Sequence, residues 1–584
     1  MKNAEISALF DQMADIMEIL GEDPFRINSY RKVARVIGDT PTDVEVLDAN
    51  GQLAELPGIG KSSLAKIEEF IKTGSMTAHQ ELRAKIPAEL LDLLNISGMG
   101  PKGVKAVWEN LHISTIPQLK QAIQTGALAE LHGFGEKKAA GIARGIEFLE
   151  KSTGRIRLDN AREAAAIVSA FLSKLPGIDR IQPAGSLRRC CETVGDVDVL
   201  VTTAKTKAKN EDTGEQIISS LTTAPFIEQV LASGPTKGSA IIQTQSCRVQ
   251  VDVRVVPRES FGAAAQYFTG SKQHNVRLRE IAVKSDLKLN EYGLFKGEKM
   301  VAGPVEEEIY RKLGLDYIDP RLREDRGEVE ASQNHSLPEL IQLKDIKGDF
   351  HAHTTASDGN CDLVTLVQAA KDLGYKFLCV TDHSQSSAIA NGLTPKRLAE
   401  EIDQIHKLNA KLKGITILAG TEVDILADGS LDFDNKLLAD LDFVVASVHS
   451  GLASAREKVT MRTLKAMDNP YVNCIGHPTG RLIGEREAMD LDIPAVIKHA
   501  AQTHTALEIN ANPYRLDLKD THCKMAIESG VMLCLGTDTH STANLALMEY
   551  GVATAARGWA TKTNILNTLP LSKIKNWVMT KRPR

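Results

Sequence analysis

The stretch PAGSLRRCCETVGDVDVLV at 183–201 ends in an apolar strand that carries two carboxylates, Asp196 and Asp198. Alternate residues of a strand project to one face, so the two carboxyls stand together. A second alternating run, VQVDVRVV at 249–256, carries Asp252 and can lie beside the first. This part of the chain is thereby held to a sheet on which three carboxylates meet. Upstream, Gly185-Ser186 makes a turn whose backbone N–H groups can hold a phosphate. Three carboxylates on adjacent strands form a site for two divalent ions, the arrangement that in-line phosphoryl displacement needs. An acidic strand end in a surface turn would explain an isolated Asp-x-Asp pair. It does not explain the Gly-Ser-x-x-Arg before the pair and the third Asp after it, and the whole pattern predicts nucleotidyl transfer.

The 584 residues predict several domains rather than one. A net charge of −5 offers no bulk attraction to nucleic acid, so any such contact must come from local patches and backbone donors. The eight cysteines show no CxxC spacing, which suits a reducing compartment and argues against structural zinc knots. The N-terminal MKNAEISALFDQMADIMEIL reads as an acidic amphipathic helix, not as a signal segment. No run reaches the roughly 18 apolar residues of a membrane span. A cytoplasmic protein with no membrane partner, acting as a monomer, is expected.

One pattern recurs three times in the first third: LPGIGKSSLAKI (56–67), ISGMGPKGVKAV (96–107) and LHGFGEKKAAGI (131–142). Each places a Gly-x-Gly before a helical stretch: Gly58 and Gly60, Gly98 and Gly100, Gly133 and Gly135. Such turns expose backbone N–H groups at a helix N-terminus, where anions bind. This is the helix-hairpin-helix design for gripping a DNA backbone without reading bases. The first copy follows GEDPFRINSYRKVARVI (21–37), which crowds Arg26, Tyr30, Arg31 and Lys32 onto one helix. Residues 1–85 are read as one helical domain and 86–152 as a second. Alternating strands and helices at 153–258 predict an α+β palm, 259–320 a nucleotide-binding subdomain, and the charged, Pro-punctuated 321–346 a linker.

Beyond it the character changes, since ten of the fifteen histidines lie after residue 350. Asp349-Phe-His351-Ala-His353 is followed by Asp358, Thr381-Asp382-His383, Gly420-Thr421-Glu422, Ser447-Val448-His449, Gly476-His477-Pro478 and Thr537-Asp538-Thr539-His540. Apolar runs such as KFLCV, ITILA, FVVAS, VNCI and VMLCL precede these polar residues. The alternation predicts a (β/α)7-type barrel over 347–584 with its site at the C-terminal ends of the strands. Six histidines and three carboxylates at one end of successive strands predict a metal cluster, which activates water and clamps a phosphoester. Arg481 and Arg515, in loops after His477 and Asn510, are candidate phosphate contacts.

The carboxylate segment, together with YFTGSKQHNVRLR (267–279) and LNEYG (289–293), resembles family X DNA polymerases, the group of DNA polymerase beta. The resemblance implies that Asp196, Asp198 and Asp252 hold two Mg²⁺ or Mn²⁺ ions. It implies that Gly185, Gly195, Tyr267, Phe268, Gly270 and Asn275 contact an incoming dNTP, with Ser186 and Arg189 at its β- and γ-phosphates and Arg279 toward the template. Lys272, where polymerase beta has an acidic residue, is expected to strengthen nucleotide binding. In the N-terminal domain the resemblance makes Lys66 the candidate lyase nucleophile and Arg26, Tyr30 and Lys61 the candidate contacts of a 5′-phosphate. The C-terminal part resembles the PHP (polymerase and histidinol phosphatase) family, and all nine metal-ligand positions are filled. By that resemblance His351, His353, Glu422 and Asp538 hold one ion, Glu422 with His449 and His477 a second, and Asp358, His383 and His540 a third. The mixed imidazole and carboxylate ligands suit Mn²⁺, Zn²⁺ or Fe²⁺ without choosing among them.

Together these readings imply a polymerase that fills short gaps in DNA bearing a 5′-phosphate, with 3′–5′ exonuclease and abasic-site activities on the same chain. Three alternatives stay open at this point. The barrel could hydrolyse a small phosphate ester, it could be structural, or the front half could transfer nucleotides to a small molecule.

Overall fold

The computed structural model describes residues 2–40, 43–56, 58–96, 98–151, 154–203 and 213–582. They form two compact units, one of 1–156, 160–183 and 195–258, the other of 157–159, 184–194 and 259–584.

The first unit opens with helices from Lys2–Leu20 to Gly135–Lys151. They enclose one hydrophobic core running from Ile6 and Phe10 through Ile67 and Phe70 to Val107, Leu119 and Ile146. No break in this core falls at residue 85, because Lys2–Leu20 packs against both Pro24–Asp39 and Pro101–Leu111. A five-stranded sheet follows, in the order Ile178–Pro183, Val197–Thr203, Arg248–Val255, Lys237–Gln243, Ile227–Ser233. Val197–Thr203 and Arg248–Val255 are parallel neighbours and the other pairs are antiparallel. That one parallel pairing sets two acid-bearing strands side by side.

In the second unit, helices Phe261–Thr269 and Lys272–Lys284 precede a three-stranded antiparallel sheet, Lys288–Asn290, Gly293–Lys296 and Lys299–Ala302. The loop 184–194 belongs here and not with the sheet of the first unit. Its Arg188 is bonded to Glu306 at 2.7 Å and its Arg189 to Glu324 at 3.0 Å.

Residues 321–346 are not a loose linker. Leu322, Arg323, Glu328, Val329, Ser332 and Ile341 are buried, and Glu328–Gln333 is helical. The charges that suggest solvent in the sequence are internally paired: Arg323 to Glu306, and Arg326 to Asp520 at 2.9 Å. Arg557 bonds to both Asp520 (2.7 Å) and Glu324 (3.0 Å), so the segment is pinned to the domain that follows it.

That domain is a barrel. Seven parallel strands lie in chain order: Gly348–Asp349, Phe377–Val380, Thr416–Asp424, Phe443–Ser447, Cys474–Ile475, Ala506–Asn510 and Leu533–Gly536. Ala352 bridges to Thr539 beyond the last strand, and the His353 N–H donates to the Thr539 carbonyl at 2.8 Å, which brings the ring nearly to closure. Phe350 packs at a tilt against Phe377 and Phe443, ring centres 4.8 and 4.5 Å apart, in the interior, and Ile574 and Val578 of helix Leu571–Met579 join the same apolar cluster. The end where the strands finish is left for polar side chains.

Candidate active sites

The sheet of the first unit puts Asp198 directly opposite Asp252 in register. Carboxylate oxygens of Asp196, Asp198 and Asp252 lie within 4.8 Å of one another, as the strand alternation predicts. Burial, together with the charges of Asp196 and Asp252, pushes the Asp198 carboxyl up to about 7. Asp196 is raised for the same kinds of reason. Burial acts on Asp252 too, but Lys237 at 2.7 Å and hydrogen bonds from Gln250 and Ser239 outweigh it and hold this carboxyl below its ordinary value. Three carboxyls this close need added positive charge to stay ionised together. An all-oxygen set of this kind suits Mg²⁺ or Mn²⁺.

The candidate nucleotide contacts lie in the second unit, except Gly195. Tyr267 and Phe268 meet edge to face, with ring centres 5.1 Å apart, at the end of helix Phe261–Thr269. Gly270 follows at φ +71, and Lys272 and Arg279 are exposed on the next helix. Ser186 lies in the single helical turn Gly185–Arg188. Two of these side chains are also bonded within the fold. Arg189 Nε donates to Glu324 at 3.0 Å and its Nη1 to the Thr269 carbonyl at 2.5 Å. Asn275 Nδ2 donates to the Tyr267 carbonyl and its Oδ1 accepts from Gln266 Nε2, both at 2.6 Å, so it braces the turn that carries the aromatic pair.

In the helical region Gly58, Gly98 and Gly133 share a left-handed backbone, φ +100, +89 and +86, which a side chain would strain. All three turns carry the same bond: Ile59 to Leu56, Met99 to Ile96 and Phe134 to Leu131, N–H to carbonyl, at 2.9–3.1 Å. Gly60 and Gly100 are both extended N-caps, whereas Gly135 (φ +64) already belongs to its helix. Pro57 and Ser97 within the first two turns fall outside the described residues. Arg26 and Lys66 both lie over the Tyr30 ring, 5.9 and 5.7 Å from its centre. Lys66 Nζ donates to the Ser62 hydroxyl at 2.7 Å, and Lys61 is exposed at the start of the same helix.

All nine candidate ligands of the barrel converge at the strand ends. Glu422 Oε1 lies 2.8 Å from His477 Nε2 and 3.2 Å from His449 Nε2, and its Oε2 lies 3.3 Å from His351 Nε2. His353 Nε2 is 3.2 Å from Asp538, and Asp358 is 3.3 Å from His540 and 3.7 Å from His383. Ligand atoms cluster as His351–His353–Asp538, as His383–Glu422–His449, and as His353–Asp358–His383–His540. The grouping differs from the expected one in that His353 and His383 each stand between two positions. Close approach needs two glycines here. A Cβ on Gly536 would stand 2.2 Å from Glu508 Oε1, and one on Gly476 would stand 2.4 Å from Ser447 Oγ.

The residues fit metal ions. His351 Nε2, both ring nitrogens of His353, His383 Nδ1, His477 Nδ1 and Glu422 Oε2 are buried without a hydrogen bond, a costly state unless something else satisfies them. Burial alone would keep His449 neutral, yet Glu422 and Asp424 raise it to about 10. His540 is likewise carried to about 9, against its burial, by Asp358 and Asp538. The anions thus pull protons onto imidazoles at places a metal ion would fill. Two carboxylates the motif reading missed orient the ligands. Glu508 accepts from His351 Nδ1 at 2.6 Å and from the His477 N–H at 2.5 Å, and Asp424 bonds His449 Nδ1 at 2.5 Å. Asp424 sits two positions beyond Glu422 on the same strand, so alternation could have found it; Glu508 is embedded in the apolar run ALEIN, which gives no such signal.

A cavity of about 550 Å³ opens over the cluster, lined by seven of the nine ligands, all but His351 and His353, together with Ser386, Ser387, Ser450 and Arg515. Arg515 lies 3.7 Å from Asp538 in this lining. The Arg481 guanidinium is bonded to Glu192 at 2.7 Å and to the carbonyls of Arg515 and Leu516.

Family profiles for the DNA polymerase beta palm and the DNA polymerase beta thumb match residues 155–258 and 264–324. A helix-hairpin-helix domain profile matches 1–76, a SAM-like helix-hairpin-helix tandem 90–147, and a PHP domain 349–512. Over 577 residues, 98% of this chain and 99% of the relative, the sequence is 36% identical to "DNA polymerase/3'-5' exonuclease PolX" of Bacillus subtilis (strain 168). A 347-residue match at 25% identity, covering 55% of this chain and 62% of the relative, is to "DNA polymerase lambda" of Arabidopsis thaliana. A 245-residue match at 28% identity, covering 40% of this chain and 95% of the relative, is to a "Probable phosphatase" of Thermoanaerobacter sp. (strain X514). Among the described residues no helix is long and apolar enough to cross a membrane. With palm, thumb, hairpin and barrel all matched in one order along a near full-length relative, this chain belongs to the family X DNA polymerases that carry a C-terminal PHP domain.

Proposed function

We propose that this chain fills short gaps in DNA from dNTPs and shortens DNA 3′ ends with its PHP barrel, working on repair intermediates in the cytoplasm. The observation that carries the reading is the register pairing of Asp198 with Asp252, with Asp196 within reach, in a chain that also holds a nine-ligand cluster. Asp196, Asp198 and Asp252 would hold two Mg²⁺ or Mn²⁺ ions, and the PHP ligands three ions drawn from Mn²⁺, Zn²⁺ or Fe²⁺. When bound, the ions supply Lewis acidity at the reacting phosphorus. The chain's own groups do the rest. Ser186 meets the nucleotide phosphates, and Tyr267 and Phe268 lie under its sugar and base. Lys272 adds a cation beside it, and Arg279 faces the template. The three hairpin turns present backbone donors to the duplex backbone, and Arg515 meets a phosphate oxygen at the cluster.

Lys66, with Arg26 and Tyr30 beside it, is assigned as an abasic-site lyase nucleophile and part of a 5′-phosphate pocket that also includes Lys61. Trapping with borohydride on abasic DNA, lost in Lys66→Ala, tests that assignment. The likeness of the barrel to a named phosphatase favours a second reading, hydrolysis of a terminal phosphate monoester.

The deciding experiment incubates a gapped duplex carrying a 5′-phosphate with Mn²⁺, with and without dNTPs, using the intact protein, Asp196→Ala and His351→Ala. Loss of extension only in the first variant and of primer shortening only in the second is expected. Release of phosphate from a 3′-phosphorylated primer without shortening would favour the phosphatase reading.

A further inference from the structure

Beside the metal cavity lies a second one of about 580 Å³, lined by Ala427, Asp428, Ser450, Gly451, Ser454, Lys458, Met461, Arg462 and Lys465. Ser450 lines both cavities, and it follows the cluster ligand His449 directly. The two meet at that residue, and together they outline a trough. Helix Arg456–Met467 makes one wall. Lys458, Met461, Arg462 and Lys465 are spaced by three, four and seven along it, which puts them on one face.

The charge of this wall is unbalanced. Arg462 is buried, and its donors go to main-chain carbonyls: Leu426 at 3.1 Å, Ser450 at 2.7 Å, and Ile425. The carboxylate that acts on it, Asp424, is already bonded to His449. Arg462 therefore fixes the loops after Glu422 and before Gly451 while leaving a positive charge beneath the trough. Lys458 and Lys465 are exposed above it. Asp428 is the one carboxylate in the lining, 3.8 Å from Lys465, whose Nζ also donates to the Asp428 carbonyl at 2.8 Å. Met461, 63% exposed between the cations, offers an apolar contact.

The geometry points to a binding site for a single DNA strand: the 3′-terminal nucleotide sits at the metal cluster, and the preceding phosphodiesters run past Ser450 onto Lys458 and Lys465. A polyanion with spaced charges and apolar faces is the ligand that matches separated cations flanking a thioether. This assignment rests on the exonuclease reading and adds to it the path of the strand.

The test compares the full chain with Lys458→Gln/Lys465→Gln in Mn²⁺ on two substrates, a 5′-labelled single-stranded oligodeoxynucleotide and bis(p-nitrophenyl) phosphate, which is too short to pass Ser450. Extension of a gapped primer reports that the variant is folded. The ratio of kcat/KM for the strand to that for the small diester is expected to fall roughly tenfold, through KM. The slope of log KM against log salt for the strand is expected to drop by about 1.4, two lost contacts at roughly 0.7 each. An unchanged ratio and slope, in a protein that shortens the strand, would overturn the assignment and leave the exonuclease standing. An intact chain that hydrolyses the small diester but shortens no strand would overturn the exonuclease reading, and the strand path with it.

Discussion

The aspartate triad and the histidine cluster would both gather metal ions, yet they manage their charge in opposite ways. At the triad Lys237, Arg254 and Arg155 only partly offset burial and the mutual repulsion of three carboxyls, and the mismatch surfaces as Asp198 raised to about 7. At the cluster the carboxylates are outnumbered by imidazoles. Glu422 is held well below its ordinary value, despite full burial, by His449, His351 and His383. The first site is poised to take a cation from solution. The second is built around cations, with orphaned buried ring nitrogens and an outer layer, Glu508 and Asp424, that serves the ligands. A site that must bind and release its ions with each nucleotide gains from the first design, and a site with resident ions gains from the second.

The sharpest way to break this comparison is to remove one ligand from each site. Asp198→Ala is expected to lower gapped-primer extension by about a thousandfold or more, leaving 3′ shortening within about twofold, and His351→Ala to do the reverse. Primer-gel assays of both activities on both variants check it; a joint loss in either variant would mean that the two sites do not work independently. The next effect separates the designs themselves. Glu508→Ala removes the acceptor of His351 and should weaken metal retention by roughly 10–100-fold, read by elemental analysis after dialysis against a chelator. Gln250→Ala, which removes a 3.0 Å bond to Asp252, should leave the Mg²⁺ requirement of extension nearly unchanged, because Lys237 and Ser239 still hold that carboxylate.

A smaller effect follows from protons. An ion entering the triad must displace the proton on Asp198, so apparent Mg²⁺ affinity should rise with pH and level off above about 7. One proton with that midpoint makes binding about tenfold tighter at pH 8 than at pH 6. Mg²⁺ titrations of extension at the two pH values measure it, and a flat profile would deny the shared-charge picture of the triad.

The two sites also differ in how they could be read from sequence. Asp196, Asp198 and Asp252 were legible because strand alternation is local and the partner strand carries the same signature. The cluster ligands were legible because each stands at the end of its own apolar run. What local pattern hides is register and distant pairing. Lys237 meets Asp252 through an antiparallel neighbour strand, and Glu508 meets His351 across 157 residues. Arg189 and Arg481 are paired with Glu324 and Glu192, 135 and 289 residues away, which no local pattern shows. Residues 321–346 read as a linker because charge usually means solvent; here Asp520 and Glu306 take up that charge inside the fold. The barrel and the carboxylate strands were therefore visible in outline, and the ion pairs that bind the second unit together were not.

The smallest effect is on stability, and its sign differs between the sites. Asp198 has a folded-state value of about 7, above the roughly 3.9 of an unfolded aspartate. Its contribution is fully present below about pH 4 and is lost as pH rises through 7, so in chelated protein the ionised group is a liability at pH 8. Asp198→Asn should then raise the melting temperature of chelated protein at pH 8 by roughly 2–4 °C, with little gain at pH 5. Glu422 is the opposite case. Its value lies well below that of an unfolded glutamate, so its contribution is present at neutral pH and is lost as pH falls through its folded value. Glu422→Gln should lower the melting temperature under the same chelated conditions at pH 8. Calorimetry of the two variants beside the parent, at both pH values, decides the matter. Equal signs would mean that the triad is not under charge strain when empty, and that metal affinity there comes from geometry alone.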